Sequence, residues 1–70
     1  MTYDQVMAVL VKYVPLKVGL FADKWNRFPR GEVAASLCKT LEEKISMWKL
    51  IDDGVTNQLK EVLRAIKDHQ

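Results

Sequence analysis

Apolar residues recur along this chain at intervals of three and four, the period of helices that bury one face. In the first segment Tyr3, Val6, Met7, Leu10 and Val14 keep that spacing. Thr2-Tyr3-Asp4-Gln5 stands ahead of it as a capping box: the threonine takes an orphan amide and the glutamine reaches back. Asp4 in the first turn suits the helix dipole. The β-branched residues between Val6 and Val14 would also suit a strand, but the capping chemistry and the spacing favour a helix. Pro15 ends or kinks it, because proline lacks the donor and crowds the preceding turn.

A second helix is predicted from about Leu16 to Phe28, with Val18, Phe21, Trp25 and Phe28 on one side and Lys17, Lys24 and Arg27 on another. Gly19 weakens it, and Pro29-Arg30-Gly31 breaks it. The third predicted helix, Glu32 to about Ile51, carries the stripe Ala34, Leu37, Cys38, Leu41, Ile45 and Trp48. Asp52-Asp53-Gly54 closes it, with Gly54 expected in the left-handed conformation that follows a helix end. The fourth, about Val55 to Lys67, shows Val55, Leu59, Val62, Leu63 and Ile66. Short connections make neighbouring helices roughly antiparallel. The expected fold is therefore all-α: one domain over residues 1–70, a compact bundle of three to four short helices completed by dimerisation. Whether Pro15 kinks one helix or separates two stays open at this level.

Length sharpens the need for a partner. A chain of 70 residues buries only about 60% of its unfolded surface, so its stability is marginal without help. One cysteine and one histidine provide neither an intrachain disulfide nor a set of four soft ligands for zinc. Good packing or a second chain must do the work. The first helix gives that idea a location: Val9 and Val11 lie off its main apolar face, so it is hydrophobic nearly all round, and such a helix wants cover on more than one side. Tyr13 and Met47 are expected to add to that surface; Trp48 is expected to face the core.

Charge is uneven along the chain. The formal net charge is +2, but residues 1–31 carry five bases and two acids while residues 32–70 carry six bases and seven acids. Lys24-Trp25-Asn26-Arg27-Phe28-Pro29-Arg30-Gly31 interleaves cations with aromatics, a combination that follows phosphates and stacks on bases. Lys17, Lys24, Trp25, Arg27 and Arg30 are thus candidates for contact with nucleic acid or with an acidic partner. The plainer reading puts Trp25 and Phe28 in the core and the bases on a solvated face. A few cations give only weak, salt-sensitive binding to nucleic acid.

Nothing in the chain points to catalysis. Cys38 sits on an apolar stripe, where cysteine is an inert small hydrophobe, and His69 falls in a solvated tail. Glu42-Glu43 and Asp52-Asp53 are sequence neighbours that diverge by about 100° on a helix, so neither makes a cooperating acid–base pair. No glycine-rich phosphate loop or metal motif occurs, so no cofactor, metal or small-molecule substrate is expected. Gly31 to Leu37 looks superficially like the opening of a helix-turn-helix, but no turn follows before Ile51. The longest apolar run, Val6 to Val11, is too short to span a bilayer. With no secretory signal and a lone cysteine, the expected setting is cytoplasmic, intracellular and reducing, away from membranes.

Residues 37–68 carry Leu-x-x-x-Leu-Glu-Glu and then Leu-Lys-Glu-Val-Leu-Arg-Ala-Ile, a cadence that loosely resembles the later helices of death-fold interaction modules. That group's terminal Arg-x-Asp-Leu is missing, and any leucine-rich helical pair matches as well, so no family is assigned and nothing is carried over. The function expected is a small non-catalytic interaction or regulatory module, homodimeric or bound to another protein. Its contacts would be the apolar first helix and the basic edge of the second. The alternative is a small dimeric DNA- or RNA-binding protein that places Lys17, Lys24, Arg27 and Arg30 on phosphates.

Overall fold

The computed structural model describes residues 1–19 and 28–69, and among these four helices follow one another: α1 (Tyr3–Tyr13), α2 (Pro15–Val18), α3 (Gly31–Trp48) and α4 (Asp53–Asp68). No strand occurs among the described residues. The architecture is all-α.

Each boundary has a chemical cause. The capping box at the start of α1 forms in full: the Gln5 amide donates to Thr2 Oγ1 at 3.3 Å, and the Thr2 amide donates to Gln5 Oε1 at 3.0 Å. Pro15 separates two helices rather than kinking one. Val14, forced out of the helical region by the proline that follows it, has φ −135° and ψ 51°. Its amide still closes the last turn of α1 on the Leu10 carbonyl, while Pro15 opens α2 at a position where its missing donor costs nothing.

The second helix departs from expectation. Within the described residues α2 ends at Val18, against Gly19, and Phe28 belongs to no helix. Phe28 precedes Pro29, which disfavours the helical conformation there. Phe21, Lys24, Trp25 and Arg27 lie outside the described residues.

The turn between α3 and α4 also corrects the sequence reading. Asp52 is the N-cap of α4, in extended conformation, and its Oδ1 accepts from the Gly54 amide at 2.8 Å and the Val55 amide at 3.3 Å. This capture draws Gly54 into the first turn of α4 instead of leaving it left-handed after α3. It also leaves the reversal to residues 49–51, so α3 stops at Trp48, where the Ile51 and Asp52 amides both bond the Trp48 carbonyl. A Cβ on Gly54 would approach Asp52 Oδ1 to 3.2 Å, which favours glycine beside the cap. Replacing Asp52 by alanine is expected to cost about 1 kcal/mol in urea unfolding. The left-handed glycine is Gly31, at φ 62°. There Gly31→Ala meets open space but a strained backbone, and a loss of about 1 kcal/mol is expected in the same measurement.

Packing follows the helical stripes. Val6 and Leu10 of α1, Val14, Val18 of α2, Ala34, Leu37 and Leu41 of α3, and Leu59, Val62 and Ile66 of α4 form one buried core. The helix α4 packs on both α3 and α1. Thr56, the one buried polar residue of α4 among those described, satisfies its hydroxyl on the Asp52 carbonyl at 2.9 Å. An exposed ion pair, Lys67 to Glu42 at 3.5 Å, crosses from α4 to α3; a pair so exposed contributes little.

Phe28 closes one end of the core. Its ring meets Tyr3 edge-on at 6.3 Å and stacks on His69 at 3.8 Å, with the two planes 9° apart. His69 is exposed, as the sequence suggested, yet it is not simply a loose tail residue: it ties the end of α4 to the segment leading into α3.

Candidate functional site

The expected surface on the first helix is only partly present. Val9 is half-buried and packs against the core, as do Met7 and Tyr13, and α1 contacts both α2 and α4. Val11 alone among the large apolar residues of α1 stays exposed. Tyr13 turns toward α3, where its ring meets Trp48 edge-on at 5.7 Å and 75°. Trp48 is half-buried against the core, and its neighbour Met47 is exposed.

The most exposed apolar side chains lie beyond α1. Leu16 is 91% exposed, Leu50 88%, Ile51 66%, Val11 55% and Met47 45%. Leu16 follows the proline break three residues after Tyr13, and Leu50 and Ile51 follow Trp48 in the turn after α3. The Tyr13–Trp48 contact therefore places the α1–α2 corner beside the C-terminal end of α3. A groove of about 300 Å³ opens at this corner, lined by Tyr13, Val14, Pro15, Leu16 and Lys17 on one side and by Thr40 and Lys44 of α3 on the other. Thr40, Lys44 and Met47 share one face of α3 at helical spacing, so the α3 wall runs on from the groove to the exposed Met47.

The cations divide. Lys17 is half-buried, and its Nζ donates to Ser36 Oγ at 3.0 Å, which holds the ammonium at the seam between α2 and α3. Lys44 is half-buried on the opposite wall. Arg30 is exposed and serves as the backbone N-cap of α3 without a side-chain cap. Lys24, Trp25 and Arg27 lie outside the described residues, so the basic edge appears here as Lys17 and Arg30 alone.

Leu16, Lys44, Leu50 and Ile51 were not singled out from the sequence. On the sequence alone Leu16 falls inside the longer predicted second helix, and Leu50-Ile51 at the end of the third. A signal existed: an apolar pair directly before Asp-Asp-Gly has no helical turn left in which to bury itself.

Cys38 is half-buried on α3, and burial pushes its thiol above the usual cysteine value, with Lys67 opposing and Glu42 adding to the rise. The linkage has a definite sign. Stability held by the buried neutral thiol is complete below its unfolded value of 9.0 and is lost as pH climbs through the higher folded value. Urea midpoints are expected to fall as pH rises from about 9.0 toward the higher folded value in the wild type, and less so in Cys38→Ala. No group of three or more potential ligands that could hold a metal occurs among the described residues, and no described helix is long and apolar enough to cross a membrane.

None of the protein-family models, curated proteins or solved structures compared with the chain matches it. The surface chemistry is left to carry the functional reading.

Proposed function

We propose that this chain is a small non-catalytic protein–protein interaction module that docks another protein on the corner formed by the α1–α2 break and the end of α3. The observation that carries this reading is the exposure of Leu16, Met47, Leu50 and Ile51 around the Tyr13–Trp48 contact, in a chain with little apolar surface to spare. Burying a leucine or isoleucine fully is worth about 1.5–3 kcal/mol, so leaving three of them in water forgoes much of what a small core can supply. Folding gains nothing from their exposure; association does. The magnitudes also set the regime. Association costs about 4–15 kcal/mol, comparable to what these side chains return, so a partner must add aromatic or charged contacts to bind well. A reversible, regulatory contact fits that balance.

The proposed surface keeps Tyr13 and Met47 of the expected one and centres on Leu16, Leu50 and Ile51 in place of Val9 and Val11. Replacing Leu16, Leu50 and Ile51 together by serine tests it. A partner protein recovered with the wild-type chain is expected to be lost from the triple variant and kept by Val11→Ser. Retention by the triple variant, or loss by Val11→Ser, would overturn the proposal. A homodimer would appear in sedimentation as mass rising with concentration. Nucleic-acid binding would appear as a titration that weakens steeply with salt; either result without dependence on Leu16 counts against the corner.

A further inference from the structure

The groove at the corner has a chemistry specific enough to name what enters it. Tyr13, Val14, Pro15 and Leu16 give it apolar lining, Lys17 and Lys44 give it two cations, and no acidic residue lines it among the described residues. We propose that it receives an acidic amphipathic helix from a partner protein, with one aliphatic or aromatic side chain anchored against Leu16 and Tyr13 and carboxylates directed at Lys17 and Lys44. This inference rests on the interaction-module reading and deepens it by naming the partner.

Three observations converge on that occupant. The first is size: at about 300 Å³ the groove lies at the small end of ligand sites, enough for an anchor side chain but not for enclosing a cofactor. The second is the preorganised charge. Ser36 Oγ accepts one hydrogen bond from the Lys17 ammonium, leaving its two other N–H donors for an incoming carboxylate. Lys44 of α3 lines the same groove and adds a second cation. The third is shape. The groove runs between helical elements, and the described residues present no strand edge on which an extended peptide could add; an amphipathic helix laid along it is the occupant proposed.

The same charges argue against a second copy as occupant. A symmetric dimer through this face would turn the Lys17 and Lys44 of one chain toward those of the other. The remaining shallow depressions do not compete: the outer face of α4 mixes Lys60 and Arg64 with Glu61 and selects no sign of charge.

The test uses two synthetic amphipathic peptides that share the same leucine positions, one with glutamate on the flanks and one with lysine. Each is titrated by fluorescence anisotropy against the full chain at low and high salt, and circular dichroism checks that every variant folds. The glutamate peptide is expected to bind and to weaken with salt. Leu16→Ser is expected to weaken it at least about tenfold, and Lys17→Glu with Lys44→Glu by a similar factor, because opposed charges govern specificity across an interface. Lys44→Gln alone should give a smaller loss and leaves the Lys17–Ser36 bond intact should the double variant fail to fold. Equal or tighter binding of the lysine peptide overturns the acidic partner and leaves the docking surface standing. If neither peptide binds but the chain forms a dimer that Leu16→Ser dissociates, the acidic helix is likewise overturned and the docking reading survives. If neither binds and no association depends on Leu16, both fall.

Discussion

Leu59→Ala is expected to remove about 3 kcal/mol from the stability of the fold, read as a drop in the urea midpoint with the slope unchanged. Leu59 is fully buried in α4 within the core shared with Leu37 and Leu41 of α3 and Leu10 of α1. Truncation loses the transfer free energy of the missing carbons and leaves a cavity that two flanking helices can close only in part. Against a total stability of about 0.05–0.15 kcal/mol per residue, a loss of this size takes much of what a short chain has. The chain is expected to be substantially unfolded at physiological temperature with this one change. A shift below about 1 kcal/mol would mean that α4 is not packed as described.

The second large effect is the contrast with another leucine. Leu16→Ser together with Leu50→Ser is expected to leave the urea midpoint almost where it was, within about 0.5 kcal/mol for each position, since surface changes away from caps and cores are small. The same pair is expected to abolish recovery of the partner protein. The two results belong together: Leu59 is buried and holds the fold, while Leu16 and Leu50 are exposed and, on the docking proposal, serve association instead. If the surface pair destabilised the fold by the amount Leu59→Ala does, the corner would be part of the core, and the docking reading would lose its basis.

Much of this fold is legible in the sequence, for reasons that can be named. The Thr2–Gln5 capping box, the stripe Ala34-Leu37-Leu41 and the stripe Leu59-Val62-Ile66 are local patterns in which each choice agrees with the fold, and the structure uses all three. The cap at Asp52 was harder to read. Asp-Asp-Gly serves equally as a helix stop or a helix start, and only the hydrogen bonds from Gly54 and Val55 decide between them.

The site was less legible than the fold. Periodicity says which residues share a helix face, but not which faces the tertiary arrangement covers. It leaves Val9 off the main apolar face, whereas the folded chain packs it against the core. It counted Leu16 into a long helix, whereas the Val14–Pro15 break turns that side chain into water. The role of Lys17 depended on a hydrogen bond to Ser36, nineteen residues away, a pairing that no local pattern encodes.

The central claim, that the corner between the α1–α2 break and the end of α3 is where this protein meets its partner, is tested most directly by mapping amide shifts in the NMR spectrum of the full chain as the glutamate peptide is added. The expected result is a set of perturbations centred on Tyr13, Leu16, Lys17, Thr40, Lys44 and Met47, with the outer face of α4 unmoved. Perturbations centred instead on Val11 or on Lys60, Glu61 and Arg64 would contradict it.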